Sequence, residues 1–256
     1  MPDDLNSRLA QERFPRSSSY DARWVIDNVM GPQPLWLMEW LCFALHLPSG
    51  ARVLDLGCGK ALTSIFLARE YGLQVVAADL WIKPTENWTR IKEAGCADSV
   101  IPIHAEAHDL KFADGYFDAI VSVDAYHYFG TDELYLAYLA KFLRPGGRLG
   151  IVVPALITDL TDDQVPEHLQ PHWPSEFRTF HSARWWRQLW SRSGEVDVDL
   201  ADVLEDGWQD WALWNEICAQ VSENEFVIEN AGREAQMVRL DAGRNLGFAR
   251  IVARRR

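Results

Sequence analysis

The nine residues Val53-Leu54-Asp55-Leu56-Gly57-Cys58-Gly59-Lys60-Ala61 constrain this chain more than any other stretch. An apolar run enters the segment, two glycines turn it, and a helix-forming run leaves it. Without side chains at Gly57 and Gly59, a ligand can lie directly against the backbone. The first amides of the following helix then face that ligand. A strand–Gly-x-Gly–helix turn of this kind holds nucleotide-like molecules.

The dinucleotide fingerprint requires Gly-x-Gly-x-x-Gly, whose third glycine lets helix and strand pack closely. Counted from Gly57, that position is Leu62, which disfavours a nicotinamide dinucleotide. Asp79 closes the next apolar run, Leu73-Gln74-Val75-Val76-Ala77-Ala78-Asp79, twenty positions after Gly59. An acid there accepts hydrogen bonds from ribose hydroxyls in either kind of nucleotide.

Asp55-Leu56-Gly57-Cys58-Gly59 resembles the first motif of class I S-adenosylmethionine (SAM)-dependent methyltransferases, with Ala61 where the third glycine usually falls. Val76-Ala77-Ala78-Asp79 resembles the second motif. His104-Ala105-Glu106-Ala107-His108-Asp109-Leu110-Lys111-Phe112 resembles the segment near the adenine. Phe117-Asp118-Ala119-Ile120-Val121-Ser122 resembles the fourth strand, and Leu143-Arg144-Pro145-Gly146-Gly147 the turn before the fifth. The five segments occur in the family's order over roughly 50–153.

SAM carries an adenosine, an amino-acid end and a sulfonium. Asp55 suits the amino group, directly or through water, and the Gly57–Ala61 loop suits the carboxylate. Asp79 suits the ribose, and Trp81, two residues on, can flank the adenine next to Leu80. The resemblance implies that Glu106 accepts from the adenine amine and that the Ala107 amide donates to a ring nitrogen. The expected cofactor set is thus Asp55, Gly57, Cys58, Gly59, Asp79, Leu80, Trp81, Glu106, Ala107 and Asp124. S-adenosylhomocysteine (SAH) is the implied product.

Strands alternate with helices from 51 to 153: strands at 51–56, 74–79, 100–103, 117–123 and 147–153, helices at 61–71, 85–95 and 132–142. This pattern predicts a Rossmann-like α/β fold, a mostly parallel sheet with helices on both faces. Thr131 is expected to cap the helix at 132–142. A last strand near 245–253 is expected to return antiparallel. Residues 1–19 read as a mobile polar arm, and 160–174 as a proline-punctuated lid or insert. A helix at 182–192, a strand at 196–203, and helices at 207–221 and around 228–240 form the rest. One domain results, in three parts: an N-terminal arm and helices (1–48), a SAM-binding core (49–154), and a C-terminal half with helical insertions (155–256).

Of twelve tryptophans, seven (Trp173, Trp185, Trp186, Trp190, Trp208, Trp211 and Trp214) fall in that last part. Trp186 and Trp190 share a helix face, as do Trp211 and Trp214. They read as a cap packed by aromatic rings; one or two could instead line an acceptor pocket with Trp24 or Trp36.

The segment Asp124-Ala125-Tyr126-His127-Tyr128-Phe129-Gly130 leaves the fourth strand, and the resemblance implies that it faces the methyl group. His127 is the candidate base, since imidazole titrates near neutrality. Tyr126 and Asp124 complete the catalytic candidates, with Tyr128 as a second hydroxyl that could orient the acceptor. In-line alignment with the sulfonium can also suffice without any base.

Net charge of −12 argues against nucleic-acid binding, which needs clustered Lys and Arg. The opening Met1-Pro2-Asp3-Asp4 lacks the basic segment and apolar run of a secretory signal, and no stretch is long enough to span a bilayer. The scattered cysteines (Cys42, Cys58, Cys96, Cys218) form no Cys-x-x-Cys, which leaves a reducing cytoplasm as the default. No set of residues has metal-ligand spacing. The expectation is a cytoplasmic SAM-dependent methyltransferase acting on an N or O atom of a small molecule, monomeric or homodimeric. Three alternatives remain: a cyclopropane synthase-like lipid enzyme, an NAD-dependent oxidoreductase, and a non-catalytic SAM-binding regulatory subunit.

Overall fold

The computed structural model describes residues 2–256. Helices α1 (Pro2–Leu9), α2 (Ala22–Asp27) and α3 (Pro34–Leu45) precede the alternating core. The core runs β1 (Arg52–Leu56), α4 (Leu62–Tyr71), β2 (Gln74–Asp79), α5 (Pro84–Glu93), β3 (Val100–His104), β4 (Phe117–Val123), α6 (Tyr135–Ala140) and β5 (Leu143–Leu156). Then follow α7 (Ala183–Ser193), β6 (Val196–Val203), α8 (Gly207–Val221), α9 (Glu225–Asp241) and β7 (Leu246–Arg255).

The strands form one sheet in the order β3-β2-β1-β4-β5-β7-β6. β3 through β5 are parallel, and β7 runs antiparallel to both its neighbours. The predicted Rossmann-like sheet with an antiparallel last strand is therefore present. Asp55 of β1 lies opposite Ala77 of β2 and Val121 of β4. The chain leaves β1 toward β2 and β3, then crosses back to β4. Strand order reverses at this point, and a crevice opens at the strand ends.

Alternate strand residues feed the two faces of the sheet. Val53 and Val121 pack into the core shared with α3, α4 and α8, whereas Leu54 and Ile120 pack against α6 and α7. Both faces are covered, so the central strands are apolar without a polar side. Truncating a fully buried residue such as Ile65 or Leu139 to Ala would cost about 2–5 kcal/mol.

Several sequence expectations are corrected. The first nineteen residues are not a free arm. Leu9 and Phe14 are buried. The buried Glu39 carboxylate in α3 accepts from the amides of Arg16 (3.1 Å) and Ser17 (2.8 Å) and from the Ser17 hydroxyl (2.6 Å). Arg13 pairs with Asp210 and Arg8 donates to Gln220, both on α8. The polarity of this segment concealed apolar anchors spaced among arginines that find partners: Arg8, Arg13 and Arg16.

Helix α6 starts at Tyr135, not 132, and Thr131 does not cap it. Asp132 instead accepts from the Leu134 amide (2.6 Å), a local turn that competes with helix initiation. Strand β5 is longer than expected at both ends: Leu143 pairs with Phe117 of β4, and β7 pairs with the strand as far as Leu156. The 160–174 segment holds short 3₁₀ turns and buries Val165 and Leu169; His168 Nε2 meets the Asp241 carboxylate at 3.1 Å.

Candidate active site

A cavity of about 320 Å³ occupies the crevice at the ends of β1, β2 and β4. Gly57, Cys58 and Gly59 form one wall, Asp79, Leu80 and Trp81 a second, Glu106 and Ala107 a third, and Asp124 and Ala125 the floor toward β4. The sequence-predicted cofactor residues thus converge here, with one exception.

The exception is Asp55. Its carboxylate is buried beneath the loop, off the cavity wall, where Oδ2 accepts from the hydroxyls of Thr63 and Ser64 (both 2.6 Å). The acid of the first motif therefore holds the first turn of α4 against β1. Burial raises its pKa to about 6, against the lowering effect of those two hydrogen bonds.

Gly57 has φ +76°, and a methyl group there would overlap Ala125. The loop consequently needs glycine both for its conformation and for the approach of the β4 loop. Ala61 also sits in the left-handed region at φ 62°, which explains why glycine suits this position and marks a site of local strain.

Asp79 serves the loop first. Its Oδ2 accepts from the Gly59 amide (2.8 Å), and its Oδ1 from the amides of Trp81 (2.8 Å) and Ile82 (2.9 Å). It staples the glycine turn to the end of β2 and also lines the cavity. Asn87 of α5, fully buried, donates to the Gly59 carbonyl (2.9 Å) and accepts from Arg90 (2.6 Å). Arg90 also donates to Asn28 (2.6 Å), joining the turn to the segment after α2. Glu106 is held by its own turn, through the His108 amide (2.9 Å) and ring (3.0 Å). Trp81 and Tyr128 stand exposed at the mouth, their rings 6.2 Å apart and tilted by 57°.

Residues 28–34 roof the cavity through Asn28, Met30, Gly31, Pro32 and Pro34. From the sequence alone, Gly31-Pro32 marks only a helix break. A Cβ on Gly31 would overlap the Asp124 carboxylate, so bare backbone lies on that group. Close spacing of Gly31, Pro32 and Pro34 was the available signal, but nothing in it indicates which strand end it covers.

Two catalytic candidates lie elsewhere. His127 is buried outside the cavity, its ring against Tyr128 (4.0 Å) and edge-on to Phe180 (5.4 Å), with Nδ1 lacking a partner. Burial lowers its pKa to about 3, which keeps the ring neutral, and it sits in the core rather than on the cavity wall where a base was expected. Tyr126 is wedged among Phe129, Tyr135, Trp186 and Trp190, and its hydroxyl is directed into that packing. It does not line the cavity either. The 3₁₀ turn Tyr126–Tyr128 alternates its side chains, so only Tyr128 faces the opening.

Asp124 is the remaining candidate and is in place. It takes a left-handed backbone conformation, φ 56°, and its amide donates to the Val152 carbonyl (2.8 Å). Its carboxylate lines the cavity and accepts no hydrogen bond from the described residues. Burial, then the charge of Glu234, raises its pKa well above the usual carboxylate range. The predicted tryptophan cap is mainly structural: Trp186 and Trp190 are wholly buried, Trp211 packs on Phe248 at 4.9 Å, and Trp214 meets Trp36 at 6.0 Å. Trp173 lines a second cavity, of about 310 Å³.

The crevice fits a nucleoside with a zwitterionic tail. Bare backbone lies at one end, an acid with spare lone pairs at the middle, and a narrow slot at Leu80, Glu106 and Ala107 at the other. Residues 53–147 match the methyltransferase domain family. Methyltransferase GfsG of Streptomyces halstedii is 33% identical over 116 residues, which cover 45% of this chain and 42% of that protein. The chain spans about two fifths of the length of the curated relatives it matches first. Haemonchus contortus phosphoethanolamine N-methyltransferase 2, solved with SAM, superposes with a TM-score of 0.72 at 16% identity, over 98% of this chain and 59% of that one. Geranyl diphosphate C-methyltransferase of Streptomyces coelicolor A3(2), solved with Mg2+, geranyl diphosphate and SAH, gives 0.65 at 19% identity, over 86% and 78%. The match over 53–147 and the cavity at the strand switch point agree: residues 53–147 are similar to the methyltransferase domain of the class I SAM-dependent enzymes.

Proposed function

We propose that this chain transfers the sulfonium methyl group of SAM to a nitrogen or oxygen atom of a small-molecule acceptor. The observation that carries the reading is the single cavity in which the Gly57–Gly59 turn, Asp79, the Glu106–Ala107 turn and Asp124 meet. When bound, SAM supplies an electrophilic methyl group. The chain's own residues do the rest. The backbone at Gly57 and Gly59 receives the amino-acid tail, with Asp79 and its neighbour Leu80 against the ribose and base. The Ala107 amide, with Glu106, meets the adenine edge. Asp124 and Tyr128 then border the space left for the acceptor. Alignment and exclusion of water by the 28–34 roof supply most of the rate enhancement in such a design.

A small acceptor suits a cavity of about 320 Å³, and a chain of net charge −12 is a poor partner for nucleic acid. No helix among the described residues is long and apolar enough to cross a membrane. Isothermal titration should give micromolar SAH binding that Asp79→Ala weakens at least tenfold. Incubation of a metabolite extract with methyl-labelled SAM should yield a labelled compound. Absence of SAH binding would remove the reading; binding without any turnover would leave a SAM-binding regulatory subunit.

A further inference from the structure

The glycine turn that walls the cofactor cavity spends most of its own amides inside the protein. Gly57 and Cys58 both donate to the Ala78 carbonyl (2.8 and 3.1 Å), and Ala61 donates to the Cys58 carbonyl (2.9 Å). The Gly59 amide donates to Asp79 Oδ2 (2.8 Å). Within 57–61, the Lys60 amide alone has no acceptor among the described residues. An anionic group laid on this turn therefore finds little backbone to bond. It also meets acids on both sides. Asp79 closes β2 and Asp124 follows β4, the two strands that flank β1, and both acids line the cavity. A carboxylate placed there needs a cation beside it.

Lys60 is the one lysine or arginine among the residues that line this cavity. It is half-buried, and its Nζ donates to the carbonyl of Asp27, the last residue of α2, at 3.2 Å. An ammonium carries three hydrogens, so that bond leaves donors for a ligand. Arg90 does not compete. It is spent on Asn28 and Asn87, both at 2.6 Å, and lies off the cavity wall. His108 belongs to the Glu106–Ala107 wall and bonds Glu106 at 3.0 Å. Burial, then the charge of Arg90, disfavours the ammonium form of Lys60. An arriving carboxylate offsets both.

Resting on the methyltransferase reading above, we propose that Lys60 selects the cofactor by its α-carboxylate, through the side-chain ammonium and the residue's own amide together. The ammonium keeps its bond to Asp27 while it takes the carboxylate. The tail thereby ties the glycine turn to the end of α2, where the roof at 28–34 begins. An adenosyl compound whose tail carries an amine and no carboxylate leaves both donors of Lys60 unpaired, so the site discriminates against it.

The test is isothermal titration of the full chain with SAH and with decarboxylated SAH, which keeps the tail ammonium and lacks only the carboxylate. The wild type should bind SAH about tenfold more tightly, or better. Lys60→Met keeps a stem of similar length and removes the charge. It should weaken SAH about tenfold and change the decarboxylated ligand within about twofold, and Lys60→Arg should recover most of the loss. Equal weakening of both ligands by Lys60→Met would reveal a role in holding the turn and overturn the proposal. Unchanged SAH affinity would overturn it too. A wild type that binds SAH with no preference over the decarboxylated ligand overturns the proposal alone. A wild type that binds neither ligand overturns the cofactor reading with it.

Discussion

The indole nitrogen of Trp214 donates to the carbonyl of Gly31 across 3.2 Å. This bond ties α8, which belongs to the C-terminal addition, to the roof of the cofactor cavity. Trp214→Phe removes the donor and leaves a small void in a fully buried site. Stability should fall by about 1–3 kcal/mol, and SAH should bind about three- to tenfold more weakly by calorimetry. An unchanged dissociation constant would detach α8 from cofactor binding.

Gly31 lies so close to Asp124 that any side chain would overlap the carboxylate. Gly31→Ala must lift the roof or displace Asp124. SAH affinity should drop at least tenfold. The paired variant Gly31→Ala/Asp124→Ala should recover thermal stability relative to the sum of the single changes, as expected for two groups in contact. Strict additivity in melting temperature would contradict the contact.

Asn87 supports the glycine turn from behind. Asn87→Ala deprives the Gly59 carbonyl and Arg90 of partners in a buried position. A loss of about 1–3 kcal/mol is expected, and SAH affinity should weaken by a similar order because the turn loses its support. Retention of wild-type affinity would show that Asp79 alone holds the turn.

Asp55 and His127 make opposite contributions to the pH dependence of stability. The folded pKa of Asp55, about 6, exceeds the ordinary 3.8, so folding takes up protons there. Its stabilising share is largest below pH 3.8 and declines as pH rises to 6. His127 has a folded value of about 3 against 6.5, so its share is full above pH 6.5 and is lost as pH falls toward 3. Melting curves from pH 3 to 8 should show Asp55→Asn gaining on the wild type between pH 4 and 6. His127→Phe should flatten the acid limb and keep methyl transfer within about threefold, since this ring lies outside the cavity. A large loss of transfer would restore His127 to the reaction.

Much of the fold was legible from local pattern. The strands at β2, β4 and β6 and helix α8 coincide with the periods read from the chain. Apolar runs bounded by turn residues describe backbone that is buried on both faces, and that signal is local. Helix ends were less legible, as Asp132 shows: a side chain that bonds its own turn and one that caps a helix look alike in sequence.

The site divided in the same way. Gly57, Gly59, Asp79, Leu80, Trp81, Glu106 and Ala107 follow directly on strand ends, and the strand order alone brings them to one crevice. Asp55 is one residue short of the β1 terminus, and the hydroxyls of the next helical turn claim it.

What the amino-acid order determined by itself was the alternation, the glycine turn and the strand-terminal acids, because each depends on residues a few positions apart. Only the tertiary structure decided that Asp124 faces the cavity while Tyr126 and His127 turn into the core, and that Gly31 and Trp214 roof the site. Those outcomes depend on which side chains fill the space between distant elements. Burial then decides whether an acid or an imidazole beside the crevice meets a ligand or the interior of the protein.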